Sequence, residues 1–319
     1  MRVWVAGHGG LLGTELVEAL RDTMEVVTAP RDRLDLRDGA AVQRWLEEHR
    51  PDVVVLAAAR VGGIAANLAA PVAFLVENLA IQNAVLPAAA ASGVARLVCF
   101  GSSAMYPVAA PQPLEEHSLM SGPLDAALRP YALAKLAGME LCGALNQESR
   151  ALGRRLGALC VVAPNLYGRR DSFAERATML PALLRRVAEA RQGGEHRLAV
   201  WGTGRARREL LAASEMAEAV RFLLRLDETR WEALLRVGEW PALNVGAGGD
   251  HSVGEIAMAV SAAVGWEIEI AWDSSKPEGM LRKLLDTSRM DALGWRSRLP
   301  LEQGIRSMYE AARADGRLP

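Results

Sequence analysis

Residues 2–13 read RVWVAGHGGLLG, an apolar run that leads directly into glycines at positions 7, 10 and 13. Arg2–Ala6 has the composition of a buried strand, and apolar residues recur at helical spacing from Leu11 to Asp22. Glycines between a strand and a helix allow a tight turn and a close backbone approach to a phosphate, which the helix N-terminus stabilises. The stretch therefore predicts a β–α unit that binds a dinucleotide.

The same alternation continues through the first half of the chain. Further strands are predicted at Glu25–Ala29, Asp52–Leu56, Arg96–Phe100 and Leu156–Val162. Helices are predicted at Ala40–Arg50 with Asp38 as N-cap, at Pro71–Ser92 with a kink or break at Pro87, and at Pro130–Leu152. Strands that alternate with helices predict an α/β fold, a doubly wound parallel sheet of the Rossmann type.

The pattern loosens after residue 168. We expect a helix near Leu180–Ala190, strands at Leu198–Trp201 and Leu243–Val245, and a helix at Glu215–Leu226. Two more helices and a strand at Glu267–Ala271 are expected after Gly246. We therefore predict a dinucleotide-binding domain of residues 1–169 and 214–246. The remaining residues, 170–213 and 247–319, are predicted to form a smaller α/β substrate domain.

The composition of the 319 residues excludes several classes of protein. Lys and Arg total 37 and Asp and Glu total 38, a balance that argues against a nucleic-acid or membrane-surface partner. No apolar run approaches the roughly 18 residues of a membrane helix. Cys99, Cys142 and Cys160 each lie in an apolar run, without the spacing of a metal site or a disulfide framework. We expect reduced cysteines, no metal and a cytoplasmic protein.

The helices predicted at residues 71–92 and 131–152 are apolar on nearly all sides. A helix that packs on one face of a sheet needs only an apolar stripe. The excess predicts a second apolar contact through these two helices, in a homodimer. Burial of both helices within one subunit is the alternative.

Two arginines, Arg31 and Arg33, follow the second predicted strand, where dinucleotide sites recognise the adenosine ribose. Arginine at this position can pair with the 2′-phosphate of NADPH, whereas Asp32 leaves NADH as the alternative. Asp35 and Leu36 are expected beside the adenine. We expect the other contacts to come from the glycine turn and the third strand's end: Gly7, Gly10, Leu11, Leu12, Gly13, Ala57, Ala58 and Ala59.

Tyr131 and Lys135 are separated by one helical turn, so they share a helix face. Ser102 and Ser103 follow the fourth predicted strand, at the carboxyl edge where such sheets bind ligands. A phenol beside an ammonium group and a serine suits carbonyl reduction, because the new alkoxide needs a proton donor and a hydrogen bond. We expect Ser102, Tyr131 and Lys135 to be catalytic.

The chain resembles the extended short-chain dehydrogenase/reductases, and within them the GDP-L-fucose synthase family, nearly from end to end. The resemblance rests on motifs that include AAARVGGIAAN (57–67), GSSAMYP (101–107), PNLYG (164–168), LPALLRR (180–186), VWGTG (200–204), SKPEG (275–279), RKLLD (282–286) and LGW (293–295). It implies NADPH, a GDP-linked 4-keto sugar and a homodimer. It also implies cofactor contacts from Tyr131, Lys135, Pro164, Asn165 and Leu166. The substrate contacts that it implies are Ser103, Ala104, Asn165, Thr178, Arg185, Trp201, Arg208 and Lys283.

Two departures from the family pattern concern the mechanism. Ala104 stands where the family has a cysteine, and Thr178 stands where it has a histidine; this pair performs C3/C5 epimerisation. Neither a methyl group nor a threonine hydroxyl is a base for a carbon acid. The sequence therefore predicts a 4-keto-reductase without C3/C5 epimerisation.

The expected substrate is a GDP-6-deoxy-4-keto-manno/lyxo-heptose or the corresponding hexose, in capsule or lipopolysaccharide sugar biosynthesis. A bifunctional GDP-L-fucose synthase with a displaced base is the first alternative, for which His117 and Cys99 are the nearby candidates. A catalytically silent, NADPH-binding scaffold is the alternative of another class.

Overall fold

The computed structural model describes residues 1–174, 177–236, 238, 240–276 and 279–319. The strands are β1 (Arg2–Ala6), β2 (Glu25–Val27), β3 (Val53–Leu56), β4 (Arg96–Ser102), β5 (Gly157–Ala163), β6 (Asn165–Tyr167), β7 (Arg197–Trp201), β8 (Arg207–Arg208), β9 (Leu210–Ala212), β10 (Ala242–Asn244), β11 (His251–Ser252), β12 (Glu269–Asp273) and β13 (Arg282–Lys283). The helices are α1 (Leu11–Leu20), α2 (Gly39–His49), α3 (Ile64–Ala69), α4 (Pro71–Ala91), α5 (Arg129–Ala151), α6 (Met179–Gly193), α7 (Ala213–Leu224), α8 (Glu228–Arg236), α9 (Val253–Val264), α10 (Ser288–Leu293) and α11 (Leu301–Ala314).

A six-stranded sheet in the order β10-β5-β4-β3-β1-β2 forms the centre of the described chain, and every neighbouring pair is parallel. The strand order reverses between β1 and β3, so the carboxyl ends of these strands flank a crevice. The predicted doubly wound Rossmann sheet is confirmed.

Both faces of the sheet are buried. Val3 and Val5 belong to an apolar cluster that α1, α7 and α8 cover, whereas Trp4 and Ala6 belong to a second cluster beneath α2, α4 and α5. Successive side chains of a strand point to opposite faces, so a strand covered on both sides must be apolar throughout. This is why the strands appear in the sequence as continuous apolar runs.

A third apolar cluster lies outside the sheet, where α6, α9 and α11 pack together around Tyr167. Its residues come from positions 167–212 and 256–318, close to the predicted substrate domain. Leu285 and Met290 instead pack with the two clusters of the sheet. The division into two domains remains a prediction. Residues 285–290, which we assigned to the substrate domain, pack with the sheet.

Several predicted boundaries differ from the structure. Helix α1 ends at Leu20 and β2 has only three residues, whereas α4 continues through Pro87 without a break. Pro87 removes one backbone donor, but α4 packs along α2 and α5, which hold the helix in place. Helices α3 and α8 were not predicted from the sequence. Among the described residues, three helices rather than two follow Gly246.

Asp38 caps α2 as predicted, because its side chain accepts a hydrogen bond from the Ala41 N–H. The three cysteines are buried and free, with Cys99 Sγ 3.4 Å from Cys142 Sγ. No cluster of three metal-ligating side chains occurs within the described ranges.

Helix α4 has the length and apolar composition that would allow it to cross a membrane. In this structure it instead forms part of the protein core. Phe74, Asn78, Val85 and Leu86 are among its buried side chains. Its composition is therefore accounted for in part by packing within the chain.

A buried hydrogen-bond network joins the end of β4 to the end of β10. Tyr106 Oη donates to Asn244 Oδ1 at 2.7 Å, and Asn244 Nδ2 donates to the Leu114 carbonyl at 2.8 Å. The Asn244 N–H also donates to Glu116 Oε1 at 2.9 Å. An acceptor buried without its donor costs free energy, so each partner of this network stabilises the next.

We expect Tyr106→Phe to lower the free energy of unfolding by about 1–3 kcal/mol, because the Asn244 amide oxygen loses its donor. Urea denaturation monitored by circular dichroism measures the change. Tyr309→Phe is the control, since Tyr309 is a buried tyrosine of the third apolar cluster and does not belong to this network. Equal losses in the two variants would contradict the role of the network.

Candidate active site

A groove of about 800 Å³ lies at the carboxyl edge of β1, β2 and β3, and we call it the dinucleotide groove. It is lined by Gly7, His8, Gly9, Gly10, Ala29, Pro30, Arg31, Leu34, Asp35, Leu36, Arg37, Ala57, Ala58, Ala59, Arg60, Val61, Ala66, Ala70, Phe74, Glu77 and Ile81. The glycine turn and the third strand's end thus lie together, as the sequence predicts for a dinucleotide site.

The glycine turn has no room for larger residues. Gly7 has a φ of +97°, and a Cβ atom on it would lie 2.5 Å from the Ala58 nitrogen. A Cβ atom on Gly13 would overlap the Gly7 carbonyl, so α1 begins directly against the turn. Leu12 and Gly13 are buried beneath the turn and support it from below. The free N–H groups at the start of α1 therefore border a cradle that fits the pyrophosphate of a dinucleotide.

The end of β2 supplies a cationic side chain to the groove, but not both of the predicted arginines. Arg31 lines the groove, whereas Arg33 and Asp32 are exposed and do not. Residues 31–33 form a turn, so the side chains of Arg31 and Arg33 leave the backbone in different directions. As a result, Arg33 lies outside the groove. Asp35 and Leu36 line the groove, and so does Arg37, which the sequence analysis missed.

The three predicted catalytic residues come from β4 and α5. Lys135 is buried one turn after Tyr131, and its Nζ donates to the Phe100 carbonyl at 2.9 Å. The same Nζ lies 5.8 Å from the centre of the Tyr131 ring. Ser102 ends β4, and its Oγ accepts a hydrogen bond from the Ala104 N–H at 3.2 Å. Lys135 therefore ties α5 to β4 two residues before Ser102.

The Tyr131 ring lines neither cavity itself, but it contacts a residue of the dinucleotide groove. It packs edge-on against Phe74, with ring centres 6.2 Å apart, and Phe74 lines the groove. A cation beside a phenol stabilises the phenolate that remains after proton transfer. This arrangement can deliver a proton to a substrate oxygen at the edge of the groove.

A second cavity of about 490 Å³ lies beside α3 and α6, and we call it the substrate cavity. It is lined by Gly62, Gly63, Ile64, Ala65, Asp125, Leu128, Asn165, Leu166, Ala177, Thr178, Met179, Leu180, Ala182, Leu183, Arg185, Arg186, Val200, Trp201, Arg208, Leu210, Val253, Gly279, Met280 and Lys283. The segment from Val61 to Ala66 borders both cavities, which therefore adjoin.

Six of the eight predicted substrate contacts line this cavity: Asn165, Thr178, Arg185, Trp201, Arg208 and Lys283. Ser103 and Ala104 do not line it, because a 3₁₀ turn after β4 buries both of them. Leu166, predicted to contact the cofactor, lies here as well. Pro164 is buried between β5 and β6 and lines neither cavity.

The described lining residues of the substrate cavity carry a net positive charge, and one of them, Arg185, also pairs with Glu189 outside the lining, at 2.9 Å. Arg185, Arg186, Arg208 and Lys283 line the cavity, whereas Asp125 is the sole carboxylate among the described lining residues. Burial and the nearby Arg208 lower the pKa of Lys283 to about 8. The buried Nε of Arg185 has no hydrogen-bond partner in the described part of the chain. An anionic ligand such as a diphosphate would supply the missing acceptors.

Glu209 is a buried carboxylate that sequence analysis left without a role. Its Oε1 accepts hydrogen bonds from the N–H groups of Ala247 and Gly248, at 2.7 and 3.2 Å, and its Oε2 accepts one from Leu285 at 2.9 Å. Burial raises the pKa of Glu209 to about 7, against the effect of these three donors. The signal in the sequence was its place between Arg208 and the apolar run Leu210–Ala213.

Comparison with known proteins places the chain among enzymes of nucleotide sugars. Residues 3–234 match the model of the NAD dependent epimerase/dehydratase family. A GDP-L-fucose synthase of Sinorhizobium fredii is 36% identical over 312 residues, which are 97% of this chain and 95% of the relative.

Two solved Campylobacter jejuni proteins share the fold over 98% of both chains. A GDP-6-OMe-4-keto-L-xylo-heptose reductase has a TM-score of 0.88 at 30% identity. A GDP-mannoheptose C4 reductase with NADP bound has a TM-score of 0.84 at 32% identity. These matches confirm the resemblance on which the sequence analysis relied. The chain belongs to the NAD dependent epimerase/dehydratase family, in the branch of the GDP-L-fucose synthases and the related GDP-sugar reductases.

Proposed function

We propose that this protein is an NADPH-dependent 4-keto-reductase of a GDP-4-keto-6-deoxy sugar that leaves C3 and C5 unchanged. One observation carries the proposal. Ser102, Tyr131 and Lys135 are all present at the edge of the sheet, whereas no histidine or cysteine lines the substrate cavity among the described residues. The protein thus keeps the groups for carbonyl reduction and lacks the usual groups for carbon deprotonation.

The charges of the substrate cavity support a GDP-linked substrate. Arg185, Arg208 and Lys283 match the charge of a diphosphate, and the half-exposed Trp201 offers a flat surface for the base or ribose. Two structural neighbours are described as reductases of GDP-linked heptoses. We therefore favour GDP-6-deoxy-4-keto-manno/lyxo-heptose over the hexose, in capsule or lipopolysaccharide sugar biosynthesis.

The proposed mechanism assigns one task to each catalytic side chain. NADPH, when bound, supplies the hydride that C4 receives. Tyr131 donates its phenolic proton to the C4 oxygen, and Ser102 donates a hydrogen bond to the same oxygen. Lys135, held by the Phe100 carbonyl, stabilises the phenolate until solvent returns a proton. The product is the C4 alcohol.

Neither of the two nearby candidate bases, His117 and Cys99, lies among the described residues that line the substrate cavity. The His117 side chain is 73% exposed and lies 3.3 Å from Glu115, and it does not line the substrate cavity. Cys99 is buried in the core beside Cys142. Both positions count against the bifunctional synthase. A silent scaffold is disfavoured because Tyr131 and Lys135 are both retained.

The homodimer is part of the proposal. Val72 and Val76 on α4 and Leu133 on α5 are large apolar side chains that this single chain leaves 72%, 54% and 47% exposed. A second copy that packs α4 and α5 against the same helices would bury these side chains.

We expect Tyr131→Phe to reduce kcat for GDP-4-keto-6-deoxy sugar reduction by about 100-fold or more, because the proton donor is lost. The affinity for NADPH should change little. Steady-state NADPH oxidation and cofactor titration measure the two quantities, with Tyr309→Phe as the control for loss of a distant phenol. Near-normal turnover by Tyr131→Phe would remove this residue from the mechanism.

We expect kcat/KM to be at least about tenfold higher with NADPH than with NADH, because Arg31 lines the adenosine end of the groove. Steady-state rates with each cofactor, at a fixed concentration of keto sugar, give the ratio. A ratio of one or below would contradict the cofactor assignment.

Turnover in heavy water tests the loss of epimerisation. Because the hydride comes from the cofactor, solvent deuterium can reach C3 or C5 only through a base. We expect no deuterium at either carbon of the product beyond that found in the keto sugar recovered from incubations with Tyr131→Phe or without enzyme, as measured by NMR and mass spectrometry. These two controls correct for spontaneous exchange beside the ketone.

Enzyme-dependent labelling would overturn the proposed loss of epimerisation. The next residues to replace would then be Lys283 and Asp125, the titratable side chains other than arginine among the described lining residues. Product analysis with the keto-deoxy hexose and heptose in parallel distinguishes the two substrates.

A further inference from the structure

A second arginine reaches the adenosine end of the dinucleotide groove. Arg37 lines the groove together with Arg31 and Asp35. Its Nε lies 2.9 Å from Asp35 Oδ1 and its Nη2 lies 2.6 Å from Asp35 Oδ2, a two-pronged ion pair. The Arg37 backbone N–H also donates to Asp35 Oδ1, at 3.0 Å. The guanidinium is therefore held in one orientation relative to the carboxylate.

Without its pairing to Arg37, the Asp35 carboxylate would favour NADH over NADPH. Asp35 follows the end of β2 by eight residues, but it lines the same groove as Arg31, where a free carboxylate could accept a hydrogen bond from the ribose 2′-hydroxyl and would repel a 2′-phosphate. In this chain three donors of Arg37 occupy the two Asp35 oxygens. These hydrogen bonds hold the pKa of Asp35 well below its usual range.

The remaining charges of the groove follow the same pattern. Glu77 is the other carboxylate among the described lining residues, and Arg60 pairs with it at 2.9 Å. Asp35 and Glu77 are thus each paired with one arginine. Arg31 is the remaining positive charge of the described lining. Within the described ranges, the hydrogen bonds of the Arg37 side chain use Nε and Nη2, so the third nitrogen, Nη1, can donate to a ligand.

We propose that Arg37 determines cofactor selectivity in two ways: it neutralises Asp35, and it contributes a donor to the 2′-phosphate beside Arg31. This inference rests on the proposed NADPH-dependent function and names the residue that sets its cofactor choice. Arg33 has no part in it, because its side chain lies outside the groove. The ion pair between Arg37 and Asp35 thus allows a groove that contains a carboxylate to accept the 2′-phosphate of NADP.

Calorimetric titration of the full chain with NADP⁺ and with NAD⁺, at fixed ionic strength, tests the inference without turnover. We expect Arg37→Ala to raise the Kd for NADP⁺ by about tenfold or more. The Kd for NAD⁺ should stay the same or fall, because Asp35 becomes free to bind the 2′-hydroxyl. The double variant Asp35→Ala/Arg37→Ala should lose any gain for NAD⁺. Arg44→Ala, an exposed arginine on α2 outside the groove, should change both constants by less than about twofold.

An equal loss for both cofactors in Arg37→Ala, or no loss for either, would overturn the role of Arg37. A gain for NAD⁺ that survives in the double variant would overturn the role of Asp35. The proposed function fails separately, if the unaltered protein binds NAD⁺ as tightly as NADP⁺. In that case the cofactor assignment is wrong whatever the variants show.

Discussion

The buried carboxylate of Glu209 is the interaction on which the substrate cavity depends. Its oxygens accept hydrogen bonds from residues 247–248 and from Leu285, segments that lie far apart in the sequence. Its backbone N–H donates to the Lys283 carbonyl, and its own carbonyl accepts from the Asn165 N–H. A buried charge is tolerated only when it is well hydrogen-bonded, so these segments must meet there. These contacts fix the backbone at Arg208 and Lys283, two of the four basic residues that line the cavity.

The two cavities handle anionic ligands differently. The substrate cavity has four basic side chains and one carboxylate among its described lining residues, which suits a diphosphate. The dinucleotide groove has three arginines, but two of them are paired with Asp35 and Glu77. Uncompensated carboxylates would repel a phosphorylated cofactor at the entrance to the site. Selectivity in the groove therefore depends on how its charges are paired as well as on their number.

Carbonyl reduction and carbon deprotonation make separate demands on the protein, and the proposed reductase requires only the residues for the first. Tyr131 and Lys135 are set by one turn of α5 and by the contact of Lys135 with β4. The epimerase positions lie on different elements, with Ala104 buried after β4 and Thr178 preceding α6. Because the two sets share no side chain, losing the second leaves the first intact. This separation is what makes a dedicated reductase of this branch chemically reasonable.

The sequence alone determined the features that depend on near neighbours in the chain. The Gly7–Gly13 turn, the alternating strands and helices, and the Tyr131–Lys135 spacing follow from local sterics, apolar periodicity and helix geometry. Only the tertiary structure decided which arginine enters the groove, because Arg33 and Arg37 differ in side-chain direction rather than in chemistry. It also revealed Glu209, whose partners lie 38, 39 and 76 residues away. Contacts at such separations depend on the packing of the whole chain, which no local pattern specifies.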